Sequence, residues 1–169
     1  GGGRGWGLHM PRGAAAGVYE RRMAAGKSLG VRNAGYRALE SCRLEKGYRY
    51  WSTDLTADYT PWEAGLGFCV ALNKGDFIGR NALFAWRDKG FLNKFVTMEV
   101  HGITDADALG NNPIYGGEDL LGRATGGNYG FRIGNSLALG MVRPELAAAG
   151  TELRTNILGI DHEVTIIPE

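Results

Sequence analysis

The chain has 169 residues, 44% of them hydrophobic and 22% charged, a balance that describes a folded globular protein and excludes a disordered one. Nineteen basic residues against eighteen acidic ones leave a formal charge of +1, too weak a field to imply nucleic acid or a membrane surface as partner. No apolar run in the sequence reaches the ~20 residues of a bilayer-crossing helix.

In chain order, Leu8 to Met10 is a short strand candidate closed by Pro11. Ala14 to Ala25 holds good helix formers, with Val18, Tyr19 and Met23 spaced onto one face, and Gly26 stops it. After a link through Leu29 and Val31, Asn33 can cap a helix over Gly35 to Lys46. Leu39, Cys42 and the aliphatic stem of Arg43 form its expected buried stripe, and Gly47 ends it. Thr53 to Pro61, with Asp54 and Asp58, carries polar turn formers and reads as a surface loop. Leu66, Phe68 and Val70 alternate with small residues as a strand does. Asp76, Gly79 and Arg80 then introduce a short helix over Asn81 to Arg87.

A linker near Lys89 to Asn93 separates this mixed half from an all-β half. Strands are expected at Phe95 to Val100, Pro113 to Tyr115, Leu120 to Thr125, Ser136 to Val142, Glu152 to Leu158 and Glu163 to Ile167. Gly116–Gly117 is a hairpin-turn candidate. Close spacing with glycine-rich turns points to a small closed barrel or sandwich.

The residues that could carry chemistry are few. Cys42 and Cys69 lie far apart among apolar or helical neighbours, which predicts buried free thiols in a reducing compartment. His9, His101 and His162 are scattered without metal-ligand spacing. Gly1 to Gly7 is glycine-rich but lacks the Lys-Ser/Thr of a phosphate loop. Glu45 and Glu63 could suggest paired-carboxylate catalysis, yet Glu45 is expected to pair with basic neighbours on its own helix. RLEKGYRYW, Arg43 to Trp51, mixes basic and aromatic residues and reads as an amphipathic helix end, with Lys46 placed where the helix dipole favours a cation.

One long string gives these elements a common meaning. AGYRALESCRLEKGYRYWSTDLTADYTPWEAGLGFCVALNKGDFIGRNAL, Ala34 to Leu83, resembles the folate-binding region of the glycine-cleavage T-protein (aminomethyltransferase) family. The resemblance is nearest to the version at the C-terminal end of sarcosine and dimethylglycine dehydrogenases. A second string, Asn111 to Gly159, is similar to that family's C-terminal β-barrel.

The resemblance implies an α+β fold: a partial aminomethyltransferase folate-binding domain over residues 1–90, antiparallel sheet with helices, followed by a small all-β barrel over 91–169. It implies a fragment, whose partners are tetrahydrofolate and a missing N-terminal part of its own chain. By the same resemblance the cofactor-binding positions are Trp6, Gly7, Leu39 and Phe68. Gly5 and Trp6 match a family segment that ends in a folate-binding glutamate, and Gly7 stands where that glutamate belongs. Leu39 aligns with an arginine of T-proteins that is commonly apolar in the dehydrogenase branch, and Phe68 with a pocket tryptophan.

The implied function is to help transfer a one-carbon unit from an N-methyl amine to tetrahydrofolate. The family's early aspartate lies in a segment this sequence does not contain, so no catalytic residue is expected here. FAD would belong to the parent protein and not to this chain, which has no dinucleotide fingerprint. The alternatives are a glycine-cleavage T-protein and a non-catalytic regulatory or scaffold subunit of the same architecture. The implied compartment is cytoplasmic in a bacterium and the mitochondrial matrix in a eukaryote.

Overall fold

Six antiparallel strands close into a barrel in the C-terminal half of the computed structural model, which describes residues 5–103 and 105–168. They are β1 (Lys94–Val100), β2 (Pro113–Gly116), β3 (Asp119–Gly130), β4 (Asn135–Val142), β5 (Glu152–Ile157) and β6 (Ile160–Ile167). Around the barrel the order is β1-β4-β3-β2-β5-β6, and β6 pairs with β1 to close it.

Alternation builds the interior. Val96, Met98 and Val100 of β1 meet Ala138 and Val142 of β4 and Val164 and Ile166 of β6 in one buried cluster. Closure leaves no edge strand in the ring.

All six expected strands are present, with two instructive shifts. The β2–β3 hairpin pairs Gly116 with Asp119, so its two-residue loop is Gly117–Glu118, one position later than expected. Gly117 takes φ +62°, which suits the first position of a type II′ turn. β3 also continues through Gly126 and Gly127 to Gly130, where the glycines resemble a turn signal. They are there for close approach: a Cβ on Gly127 would lie 2.9 Å from Ala108 Cβ.

The N-terminal half supplies α1 (Ala15–Gly26), α2 (Tyr36–Leu44) and α3 (Arg80–Lys89), with 3-10 turns at Arg12–Ala14, Lys27–Leu29 and Gly67–Cys69. The three expected helices are confirmed within two residues at each end. The strands expected at Leu8 to Met10 and Leu66 to Val70 are not formed. The second of these is a tight turn, with Cys69 N donating to Leu66 O at 2.9 Å and Val70 N to Gly67 O at 3.0 Å. Gly65 at φ +70° starts it, and Gly67 lies so close to Trp62 that a Cβ would meet the indole at 2.9 Å. The α+β class stands, with strands from the barrel and helices from the first half.

β4 joins the halves because it is buried on both faces. Leu139 and Met141 point out of the barrel and pack with Phe95 of β1, Leu44 of α2 and Tyr59. This corrects the stripe expected on α2. Ser41, Arg43 and Leu44 are the buried residues, while Leu39 and Cys42 face solvent. Leu44 is the apolar anchor, and the rest of the seated face is chosen by polar partners on the barrel.

Candidate functional site

Arg43 is the centre of a buried polar network where α2 meets the barrel. Its Nη1 donates to Asp54 Oδ2 at 2.6 Å and to Tyr48 O at 2.8 Å, and its Nε donates to Glu40 Oε1 at 3.0 Å. The guanidinium also lies 4.3 Å from the centre of the Tyr50 ring. Burial works against its charge, but the hydrogen bond to Glu40 and the neighbouring charges of Asp54 and Glu40 outweigh it and raise its pKa.

Thr53 to Pro61 is a loop with Thr53, Ala57 and Asp58 exposed, as expected, but Asp54 departs from the surface. Its side chain is 0% exposed. Beyond the Arg43 bond, Oδ2 accepts from Tyr50 N at 2.8 Å, and Oδ1 accepts from the Thr125 hydroxyl of β3. An aspartate among turn formers gives no hint of burial, because its partners lie 11 and 71 positions away.

Glu63 is a second buried carboxylate with a holding role. Oε2 accepts from Thr60 N at 2.9 Å and Thr60 Oγ1 at 3.0 Å, while Glu63 N donates back to Thr60 Oγ1 at 3.2 Å. This is the reciprocal geometry of a capping box, and Thr60-Pro-Trp-Glu63 carries its sequence signature. Oε1 accepts from Leu92 N at 3.2 Å and Asn93 N at 3.1 Å, tying the turn to the entry of β1. Burial would raise this carboxyl's pKa, but the bonds from Thr60, Asn93 and Leu92 hold it below the usual glutamate range. Glu45 does not pair along its helix as expected; its Oε1 accepts from Arg132 N at 2.7 Å, in the β3–β4 loop.

The four positions expected to bind a cofactor all face solvent. Trp6 is 88% exposed and Phe68 85%, while Gly7 and Leu39 are also exposed. Phe68 projects from the turn that replaced its expected strand. Leu39 lies half in solvent on α2, one turn before the buried Arg43. A groove of about 550 Å³ opens between α1 and the neighbouring segments, lined by Leu8, Val18, Tyr19, Met23 and Val31 among others, and none of the four lines it. A Cβ on Gly7 would meet only His9 Nε2, at 3.7 Å, so a side chain has room there.

Cys42 and Cys69 are free, but they are exposed and not buried as expected. Among the described residues no group of three or more His, Cys, Asp or Glu side chains could hold a metal ion. No helix among them is long and apolar enough to cross a membrane. The arrangement offers aromatic and aliphatic surface on the outer face and fully satisfied ionic ties beneath it.

Comparison with known proteins places both halves. The model of the GCVT N-terminal domain matches residues 1–74, and that of the glycine cleavage T-protein C-terminal barrel domain matches residues 93–169. The chain is 37% identical over 166 residues to the mitochondrial dimethylglycine dehydrogenase of Rattus norvegicus, covering 98% of this chain and 19% of that protein. It is 37% identical over 140 residues to the mitochondrial sarcosine dehydrogenase of Mus musculus, covering 82% and 15%. Against an aminomethyltransferase of Desulfitobacterium hafniense it is 34% identical over 164 residues, covering 97% and 44%. The crystal structure of glycine cleavage system aminomethyltransferase T from Bartonella henselae superposes with a TM-score of 0.81 at 25% identity, over 94% of this chain and 44% of that one. The chain therefore spans about a fifth of the length of the dehydrogenases and under half of the aminomethyltransferases.

Proposed function

Since the chain belongs to the glycine cleavage T-protein family, we propose that it is the tetrahydrofolate-holding, aminomethyltransferase-like portion of a longer dehydrogenase acting on sarcosine or dimethylglycine. The observation that carries this reading is the exposed apolar surface of the first half. Trp6, Leu39 and Phe68 of the first half are left in solvent, while the interior of the barrel is a packed apolar cluster. A pterin with its aryl ring is flat and largely apolar at its faces, and exposed aromatic side chains are suited to stack on such faces.

The fit is incomplete at Gly7, where a carboxylate would accept hydrogen bonds from ring N–H groups. The role assigned to this chain is therefore positioning: it would hold the accepting amine where an arriving imine meets it, and proximity would supply the rate. Oxidation of the amine would fall to a flavin held elsewhere in the longer protein. The apolar Leu39 and the 37% identity to dimethylglycine dehydrogenase favour the dehydrogenase branch over a free aminomethyltransferase. The mitochondrial relatives suggest the same compartment for a eukaryotic source.

Gly7 favours one second reading, a scaffold subunit of the same architecture that binds no folate. Calorimetry with tetrahydrofolate on the complete natural polypeptide decides between them. Saturable binding weakened by Phe68→Ala supports the first reading, and no measurable heat supports the second.

A further inference from the structure

We propose that the barrel is a seat that fixes the orientation of α2, and that Asp54 is the positioning residue locking α2 into it. This rests on the reading above, in that the outer face so positioned is the one assigned to the ligand.

Asp54 belongs to neither α2 nor the barrel, yet it holds both. One oxygen takes Arg43 of α2 at 2.6 Å and the other takes the hydroxyl of Thr125 of β3. Thr125 sits at the register shift of β3, between Ala124 paired with Gly140 and Gly126 paired with Leu139. A bulge of this kind frees one residue from the ladder and re-aims its side chain. Here the residue so freed meets the buried carboxylate.

Two further ties leave α2 toward the same part of the barrel. The Ser41 hydroxyl donates to Tyr129 O at 2.7 Å, and Glu45 accepts from Arg132 N at 2.7 Å. Ser41 and Glu45 are four apart and share a face, and Leu39 lies one turn before Arg43, on the side that Asp54 holds. The side of α2 that reaches solvent is thus set by bonds to β3 and its loop.

The test uses the complete natural polypeptide with Thr125→Val, which keeps the shape and removes the hydroxyl, and Thr125→Ser, which keeps the hydroxyl. Hydrogen exchange over residues 36–44 should speed up by about tenfold in the valine variant and return in the serine variant, with residues 94–100 unchanged. The tetrahydrofolate Kd should rise by about tenfold and recover in the same pattern. Unchanged exchange over 36–44, or equally faster exchange in both segments, would overturn the proposal. Faster exchange with an unchanged Kd would overturn the positioning role. Should the valine variant fail to fold, Ser41→Ala is read by the same criteria. Absence of folate binding in the wild-type protein would defeat the proposed function, and the exchange comparison alone would then decide whether the barrel seats α2.

Discussion

Asn93 and Glu63 are 30 positions apart, and Asn93 N donates to Glu63 Oε1 at 3.1 Å. Leu92 N donates to the same oxygen, so one carboxylate fixes where the chain enters β1. Because that carboxyl titrates below its unfolded value, its contribution is fully present above the ordinary glutamate range and is lost as pH falls through the folded pKa. Glu63→Gln should destabilise the protein by about 1.5–3 kcal/mol near neutrality, the worth of a charged hydrogen bond. Urea unfolding of both forms should show the gap closing at strongly acidic pH; a gap independent of pH would mean that the charge is not what holds the strap.

Asp54→Ala would leave Arg43 buried beside a missing partner. Removing one member of a buried pair costs about 3–5 kcal/mol. The same loss in an Arg43→Ala background should be much smaller, since the pair is already broken, and a denaturant double-mutant cycle measures the difference. Additive losses would show that the two groups do not depend on each other.

Gly122 of β3 lies tight against β4, and a Cβ there would lie 2.3 Å from Met141 O. The obstacle is backbone and cannot swing aside. Gly122→Ala should cost at least the ~1–3 kcal/mol of an overpacked core, whereas Gly17→Ala should cost little or stabilise, because the space at that α1 position is open, its φ is not positive and alanine is the better helix former. Thermal melts of the two variants should rank them in that order.

Restoring a carboxylate with Gly7→Glu in the complete polypeptide should tighten tetrahydrofolate binding by about 1.5–3 kcal/mol. The space around Gly7 admits the side chain. Equal affinities by calorimetry would show that residue 7 does not face the pterin.

Native-state thiol titration with an aromatic disulfide should label both Cys42 and Cys69 without denaturant, since both are exposed. Labelling that waits for unfolding would restore the burial their neighbours in sequence suggested.

The barrel strands were legible because each declares itself locally: alternating apolar residues, bounded by turns, decide both the strand and its inward face. The register shift at Thr125 and the reach of β3 to Gly130 were not, since a glycine needed for close packing looks in sequence like a glycine needed for a turn. In the first half, helix propensity found three helices but misjudged which face α2 buries. Leu39 looks like the natural anchor, yet Leu44 is the residue whose position meets the Phe95, Leu139 and Met141 patch. The four expected pocket positions came from resemblance alone; they share exposure, and no local pattern gathers them. Asp54 could not be found in this way, because what makes it central is a partner on β3.

The double-sided burial of β4 bears on how this protein can be taken apart. A piece begun at residue 91 would carry the whole ring of strands and still present Phe95, Leu139 and Met141 to water, without the Leu44 and Tyr59 that cover them. Such a piece should self-associate, and light scattering would distinguish it from one begun at residue 34. The smallest portable module is thus larger than the barrel: α2 and the turns after it travel with the strands, and a fusion or transplant that respects only the strand count would carry a sticky wound.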